Sequence, residues 1–167
     1  MKTVVVLSDT HRNLSPLMQI GRVLEECDYI IHLGDMAYDA NEFLKCYPEK
    51  TFVVRGNNDF GGGVDEDILQ IEGRTLFFCH GHKYGVRSGT GTLVATAKRK
   101  GCDIALYGHT HESEVKEEDG VLVINPGCMT KYTPKQTYCY LVIEKQKAVA
   151  TIVELRDRVQ GYPQKSV

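Results

Sequence analysis

The sequence has no excess of either charge, no paired-cysteine motif and no long apolar run, and each absence removes a class of protein. Its 20 Lys and Arg stand against 22 Asp and Glu, a net charge of -2, whereas a reader of long nucleic acid carries a clustered basic excess. The six cysteines (Cys27, Cys46, Cys79, Cys102, Cys128, Cys139) form no Cys-x-x-Cys pair and read as reduced thiols of a cytoplasmic protein, not a disulfide framework. No apolar stretch approaches the ~18 residues of a membrane span. Met1-Lys2 runs straight into a strand, so neither a signal peptide nor a membrane partner is expected. Repeats, low-complexity tracts and linkers are lacking too, which makes residues 1–167 a single domain. A domain of that length buries roughly 70% of its extended-chain surface, and 42% hydrophobic residues is ordinary globular composition.

What is present is a set of short apolar runs that stop at Asp, Asn or His. Thr3 to Ser8 leads to Asp9-Thr10-His11, Tyr29 to Leu33 to Gly34-Asp35, and Thr51 to Val54 to Gly56-Asn57-Asn58-Asp59. Arg74 to Phe78 leads to Cys79-His80-Gly81-His82, and Asp103 to Tyr107 to Gly108-His109-Thr110-His111. In open α/β sheets ligands bind at the carboxyl ends of strands, so five such endings predict one shared site.

Between the runs, Ser15-Pro16 reads as an N-cap with proline at the first helical position, and Leu17, Ile20, Gly21 and Leu24 fall on one helical face. Asp39 and Glu42 have capping-box spacing for a short helix ending near Cys46 and stopped by Pro48. The spacing predicts a helix over Thr92 to Lys100, with Leu93, Val94 and Ala97 buried and Gly101 as its stop. Hairpins are expected for Ile68–Ile71 with Arg74–Phe78, and for Glu114–Lys116 with Val121–Ile124 around Asp119-Gly120. Thr137–Ile143 and Ala148–Leu155 form a meander, and the polar Arg156 to Val167 frays. The early α/β half and the late hairpins predict two sheets packed face to face with helices outside.

Asp9, His11, Asp35, Asn57, His80, His109 and His111 supply oxygen and nitrogen donors and no thiolate. Seven is too many for one tetrahedral ion and suits two ions sharing a carboxylate. The mixed set favours Mn²⁺, Ni²⁺, Fe²⁺, Co²⁺ or Zn²⁺ over Ca²⁺ or Mg²⁺. Four metal charges less two carboxylates leave about +2, which attracts a phosphate anion and lowers the pKa of bound water. The chemistry implied is attack of a metal-bound hydroxide on phosphorus.

The ordered set D-x-H, G-D, G-N-x-D, H-G-H and G-H-T-H, spanning about Thr3 to Gly127, resembles the calcineurin-like metallophosphoesterases. The compact length, His80-Gly81-His82 and Asn125-Pro126-Gly127 are similar to the small prokaryotic phosphodiesterase branch, which shares its fold with the retromer scaffold subunit. The resemblance implies an α/β fold, a four-layer αββα sandwich of two mixed sheets. It also implies that Asp9, His11 and His111 hold one metal, Asn57, His80 and His109 the other, with Asp35 bridging, Mn²⁺ foremost. A small phosphodiester is the substrate so implied, in a homodimer or homotetramer. Phosphomonoesterase or nucleotide pyrophosphatase activity, or a protein-binding scaffold role, are the alternatives.

One position departs from the pattern. Many relatives carry histidine where this chain has Asn58, and an amide transfers no proton near neutral pH. Esters with basic leaving groups are therefore expected to be turned over poorly unless His82 or water supplies the proton, with Asp59 supporting the ligands from behind. His32 is out of phase with Asp35 and reads as structural. Arg12 and Arg55 flank ligand positions as either phosphate contacts or solvated charges, and Cys79 and Cys128 as core or loop residues. Gly61-Gly62-Gly63 is no phosphate loop, since no Lys-Ser/Thr follows it.

Overall fold

Side chains that alternate between two apolar clusters along single strands set the layers. In Lys2–Leu7 (β1), Val4 and Val6 join one apolar cluster, Val5 and Leu7 another, and all four are fully buried. A strand buried on both faces needs cover on both sides. The computed structural model describes residues 1–36 and 44–155 and supplies that cover as two five-stranded mixed sheets.

The first sheet contains β1, Tyr29–His32 (β2), Thr51–Val53 (β3), Gln136–Glu144 (β9) and Lys147–Leu155 (β10), in the order β10-β9-β1-β2-β3. β1, β2 and β3 run parallel, while β9 and β10 add antiparallel. The second contains Glu66–Ile71 (β4), Arg74–Cys79 (β5), Ile104–Leu106 (β6), Glu114–Glu118 (β7) and Val121–Asn125 (β8), in the order β4-β5-β6-β8-β7. Here β5, β6 and β8 run parallel, and β4 and β7 close the edges antiparallel.

Val4, Val6 and Ile31 from one sheet meet Leu76, Phe78, Ile104, Leu106 and Ile124 from the other in the central cluster. Each fully buried aliphatic or aromatic side chain contributes about 1.5–3 kcal/mol relative to exposure. Val5, Leu7 and Ile30 pack outward against Leu17, Ile20 and Leu24 of Ser15–Gln19 (α1) and Gly21–Glu26 (α2) and the residue joining them. Phe77, Ala105 and Val123 pack against Leu93, Val94 and Ala97 of Gly91–Arg99 (α3). The result is the expected αββα sandwich.

The hairpins fall where the turn residues placed them. Asp119 and Gly120 both have positive φ (50° and 78°), as the two-residue turn between β7 and β8 requires. Two details differ from the sequence reading. The first helix divides at Ile20 (φ -97°, ψ 13°), just before Gly21, where the missing side chain weakens helix propagation. Leu14, not Ser15, is the N-cap, without a side-chain cap bond. The helix read at Asp39 and Glu42 falls largely outside the described residues, and the tail from Arg156 to Val167 wholly so. All six cysteines are free, with only Cys46 exposed, and no helix among the described residues is long and apolar enough to cross a membrane.

Candidate metal centre

Because β1, β2, β3, β5 and β6 all end on one edge of the sandwich, the loops that follow them meet. Those loops are tightly wound. Asp9, His11, Asp35, His109 and His111 all have φ between 43° and 68°, a left-handed region costly for residues with a Cβ and concentrated at functional sites. Neighbouring glycines permit the approach. A Cβ on Gly56 would collide with Asp35 Oδ1, and one on Gly108 with Ser8 Oγ and Asp9 Oδ2.

Asp9, His11, Asp35 and His111 converge, with one ligand atom from each lying within 4.8 Å of the others. His11 Nε2 is 3.4 Å from His111 Nε2, 3.6 Å from Asp35 Oδ2 and 3.8 Å from Asp9 Oδ1. His111 Nε2 is 3.0 Å from Asp9 Oδ1, an oxygen that is buried and receives no hydrogen bond of good geometry. Burial opposes ionisation of Asp9, but His11, His111, His80 and the Ser8 hydroxyl together hold its carboxyl far below the usual range. The Asp9 carboxylate in turn lifts His111 to about 10. One proton or one metal ion thus satisfies the same crowded lone pairs.

A second group forms around the other oxygen of Asp35. His80 is fully buried and donates Nδ1–H to the Leu33 carbonyl at 2.7 Å. The neutral ring then presents only a lone pair at Nε2, and this faces Asn57 Oδ1 at 3.2 Å and Asp35 Oδ1 at 3.4 Å. Three acceptors facing one another fit a cation. The His109 ring lies 5.1 Å from that of His80, its backbone N–H donates to Asp9 Oδ2 at 3.1 Å, and burial lowers its pKa.

The Calcineurin-like phosphoesterase superfamily domain model matches residues 1–148. The chain belongs to that superfamily. It is 30% identical over 153 residues to the "Probable metallophosphoesterase YsnB" of Bacillus subtilis, covering 89% of this chain and 88% of that one. It is 29% identical over 175 residues to the phosphodiesterase MJ0936 of Methanocaldococcus jannaschii, covering 89% and 98%. Among solved structures, Vps29 of Chaetomium thermophilum superposes with a TM-score of 0.79 at 19% identity, covering 93% and 90%, a likeness of fold alone. A calcineurin-like phosphoesterase implies divalent metal ions, and the donor groups above fit them.

The remaining sequence-predicted residues of this calcineurin-like domain take defined places. Asn58 donates its backbone N–H to Asp35 Oδ1 at 2.9 Å and its side-chain amide to Oδ2 at 2.6 Å. Asp59 Oδ2 accepts the backbone N–H groups of Asp35 at 2.9 Å and Gly56 at 2.7 Å, tying the β2 and β3 loops together. His82 lies 5.4 Å from the His80 ring and 6.1 Å from that of His109, with Nδ1 buried and unpaired and its pKa lowered by burial. Arg55 is engaged elsewhere, in an ion pair with Asp65. His32 is buried and accepts the Gly34 N–H, the structural place expected for it.

The sequence reading missed two contributors. Asn125 donates to the Gly108 carbonyl at 3.1 Å and to Thr110 Oγ1 at 2.9 Å, holding the loop that carries both histidines. Its place in Asn125-Pro126-Gly127 was a signal, read only as family likeness. Arg87 Nε donates to His109 Nε2 at 3.1 Å, and nothing in its local sequence marks it.

Proposed function

We propose that this single domain is a dimetal phosphodiesterase acting on small phosphodiesters. The observation that carries the reading is the orientation of Asp35. Its Oδ2 faces His11 Nε2 at 3.6 Å and its Oδ1 faces His80 Nε2 at 3.4 Å, as a carboxylate shared by two ions requires. Asp9, His11 and His111 would hold one ion and Asn57, His80 and His109 the other, Mn²⁺ foremost. Two such ions supply Lewis acidity and a water activated for attack on phosphorus.

The chain's own residues do the positioning. Asn58 and Asp59 fix Asp35 from its side chain and its backbone, and Leu33 fixes the His80 tautomer, which is how groups behind the ligands set metal affinity. His82, whose ring lies 5.4 Å from that of His80, is the candidate proton donor to the leaving oxygen. The scaffold alternative finds support in the Vps29 fold likeness, whereas the converging lone pairs favour the enzyme.

Elemental analysis after Mn²⁺ loading at neutral pH, followed by a panel of phosphodiesters, phosphomonoesters and nucleoside pyrophosphates, tests this reading. Two ions per chain and a preference for diesters are expected. Asp35→Ala should lower both occupancies and His11→Ala mainly one. One ion or none in the loaded wild type, or no turnover, overturns the reading, and a preference for monoesters or pyrophosphates moves it to that alternative.

A further inference from the structure

A neutral imidazole has one lone pair, and in His109 that lone pair is taken by an arginine. Arg87 Nε–H donates to His109 Nε2 across 3.1 Å, so the ring proton sits on Nδ1 and no second lone pair is available. A metal ion on Nε2 takes the place of the arginine. A metal ion on Nδ1 sends the ring proton to Nε2, where it faces the Arg87 N–H and breaks the bond as well. Whichever nitrogen is used, ligation by His109 and its bond to Arg87 exclude each other.

Arg87 has room to leave. It is the middle residue of a single 3₁₀ turn, Val86–Ser88, set between Gly85 at φ 63° and Gly89 at φ 133°. Both are conformations that glycine adopts at little cost. Added Cβ atoms at these glycines would meet nothing within 4 Å, so space is open on both sides of Arg87 although the buried Val86 anchors the turn in the core. The side chain is exposed and, among the described residues, pairs with no carboxylate. It borders a cavity of about 340 Å³ whose wall includes Thr90, Thr110, Glu112 and Ser113, next to the His109 loop.

We propose that Arg87 is a phosphate-binding residue released by metal loading. Once His109 holds an ion, the guanidinium is freed beside the cations, with Glu112 in the same cavity wall as its competitor for the substrate anion. Its planar fork then takes the non-bridging oxygens of the substrate phosphate, the geometry for which arginine is suited. Metal occupancy and substrate anion binding are thereby coupled through one hydrogen bond. The inference rests on the dimetal reading and adds to it a residue that is no metal ligand.

The test is two calorimetric titrations of the full chain, as wild type, Arg87→Met and Arg87→Lys. In the first, Mn²⁺ is titrated into metal-free protein. Arg87→Met removes both the competitor for His109 and a nearby positive charge, so it should bind the His109 ion more tightly than wild type. In the second, inorganic phosphate is titrated into Mn²⁺-loaded protein. Arg87→Met should bind it about 10- to 100-fold more weakly, the range of a charge-assisted hydrogen bond, with Arg87→Lys between the two. Opposite shifts in the two titrations are the signature, because a merely structural arginine would weaken both or neither. Unchanged phosphate affinity in Arg87→Met, or weaker metal binding, overturns the inference alone. A wild type that takes up no second ion overturns the dimetal reading and this inference with it.

Discussion

Asn58 grips both oxygens of Asp35, with its backbone N–H on Oδ1 at 2.9 Å and its side-chain amide on Oδ2 at 2.6 Å. The residue that lacks a proton to transfer is therefore occupied in aiming the carboxylate that faces both histidine groups. Asn58→Ala keeps the backbone bond and loses the side-chain one. A charge-assisted bond is worth about 1.5–3 kcal/mol, so Mn²⁺ affinity should fall roughly 10- to 100-fold for both ions. Metal titration reads this directly, and a loss confined to one ion would count against a shared Asp35.

Leaving-group chemistry follows from the same amide. With Asn58 committed to Asp35, kcat/KM across aryl and alkyl phosphodiesters should fall steeply as leaving-group pKa rises. His82→Ala should steepen the slope if that ring is the proton donor. Asn58→His should flatten it, by up to the ~10² to 10⁴ of general acid catalysis for poor leaving groups, at some cost in metal affinity. A flat wild-type series that stays flat in His82→Ala would show that neither residue governs proton delivery.

Acid should destabilise the metal-free protein through His32. Burial holds this imidazole down at about 4 from an ordinary 6.5. Its Nδ1 accepts the Gly34 N–H at 3.1 Å, and its Nε2 is buried without a partner. The unfolded chain therefore takes up a proton that the folded chain refuses. Stability contributed by the neutral ring is complete above pH 6.5, is lost as pH falls toward 4, and changes no further below it. At about 1.4 kcal/mol per pH unit the loss is of order 3 kcal/mol. Urea midpoints at pH 7, 6 and 5 in the presence of a chelator, for wild type and His32→Gln, isolate the contribution. Parallel curves for the two proteins would refute it.

Gly108→Ala should damage the site more than the fold. The new methyl meets Ser8 Oγ and Asp9 Oδ2, and overpacking of this kind costs about 1–3 kcal/mol. The relief available is movement of the β6 loop with His109 and His111. On the dimetal reading, ion binding at Asp9 and these histidines should be lost while the unfolding transition stays cooperative. Full Mn²⁺ occupancy in a protein of unchanged stability would contradict the close approach.

Phe78→Ala tests the central layer instead. Phe78 is fully buried between the sheets and meets Phe52 edge-on at 6.4 Å between centroids. Truncation should cost about 3–5 kcal/mol with no direct effect on the ligands, measured as a shift in urea midpoint. A loss below 1 kcal/mol would mean the two sheets are not held by this contact.

Local physics made much of this protein legible from its residues. The unbroken apolar run of β1, the Asp119-Gly120 turn and the apolar stripe of α3 depend on neighbours a few positions apart, and they appear where the spacing placed them. The convergence of Asp9, Asp35, Asn57, His80 and His109 was readable because strand ends share an edge once their strands run parallel. What each side chain does there was not readable, because it depends on groups far apart in the chain. Arg55, two residues before Asn57, reads as a phosphate contact or a solvated charge, and Asp65 claims it. Arg87 lies 22 positions from His109 and carries no local mark, yet the fold sets it on the imidazole. The tautomer of His80 is decided by a carbonyl 47 residues away. Residue type and period thus determined the layers and the donor set, while lone-pair directions and competing partners, which exist only after the sheets pack, decided what each donor faces.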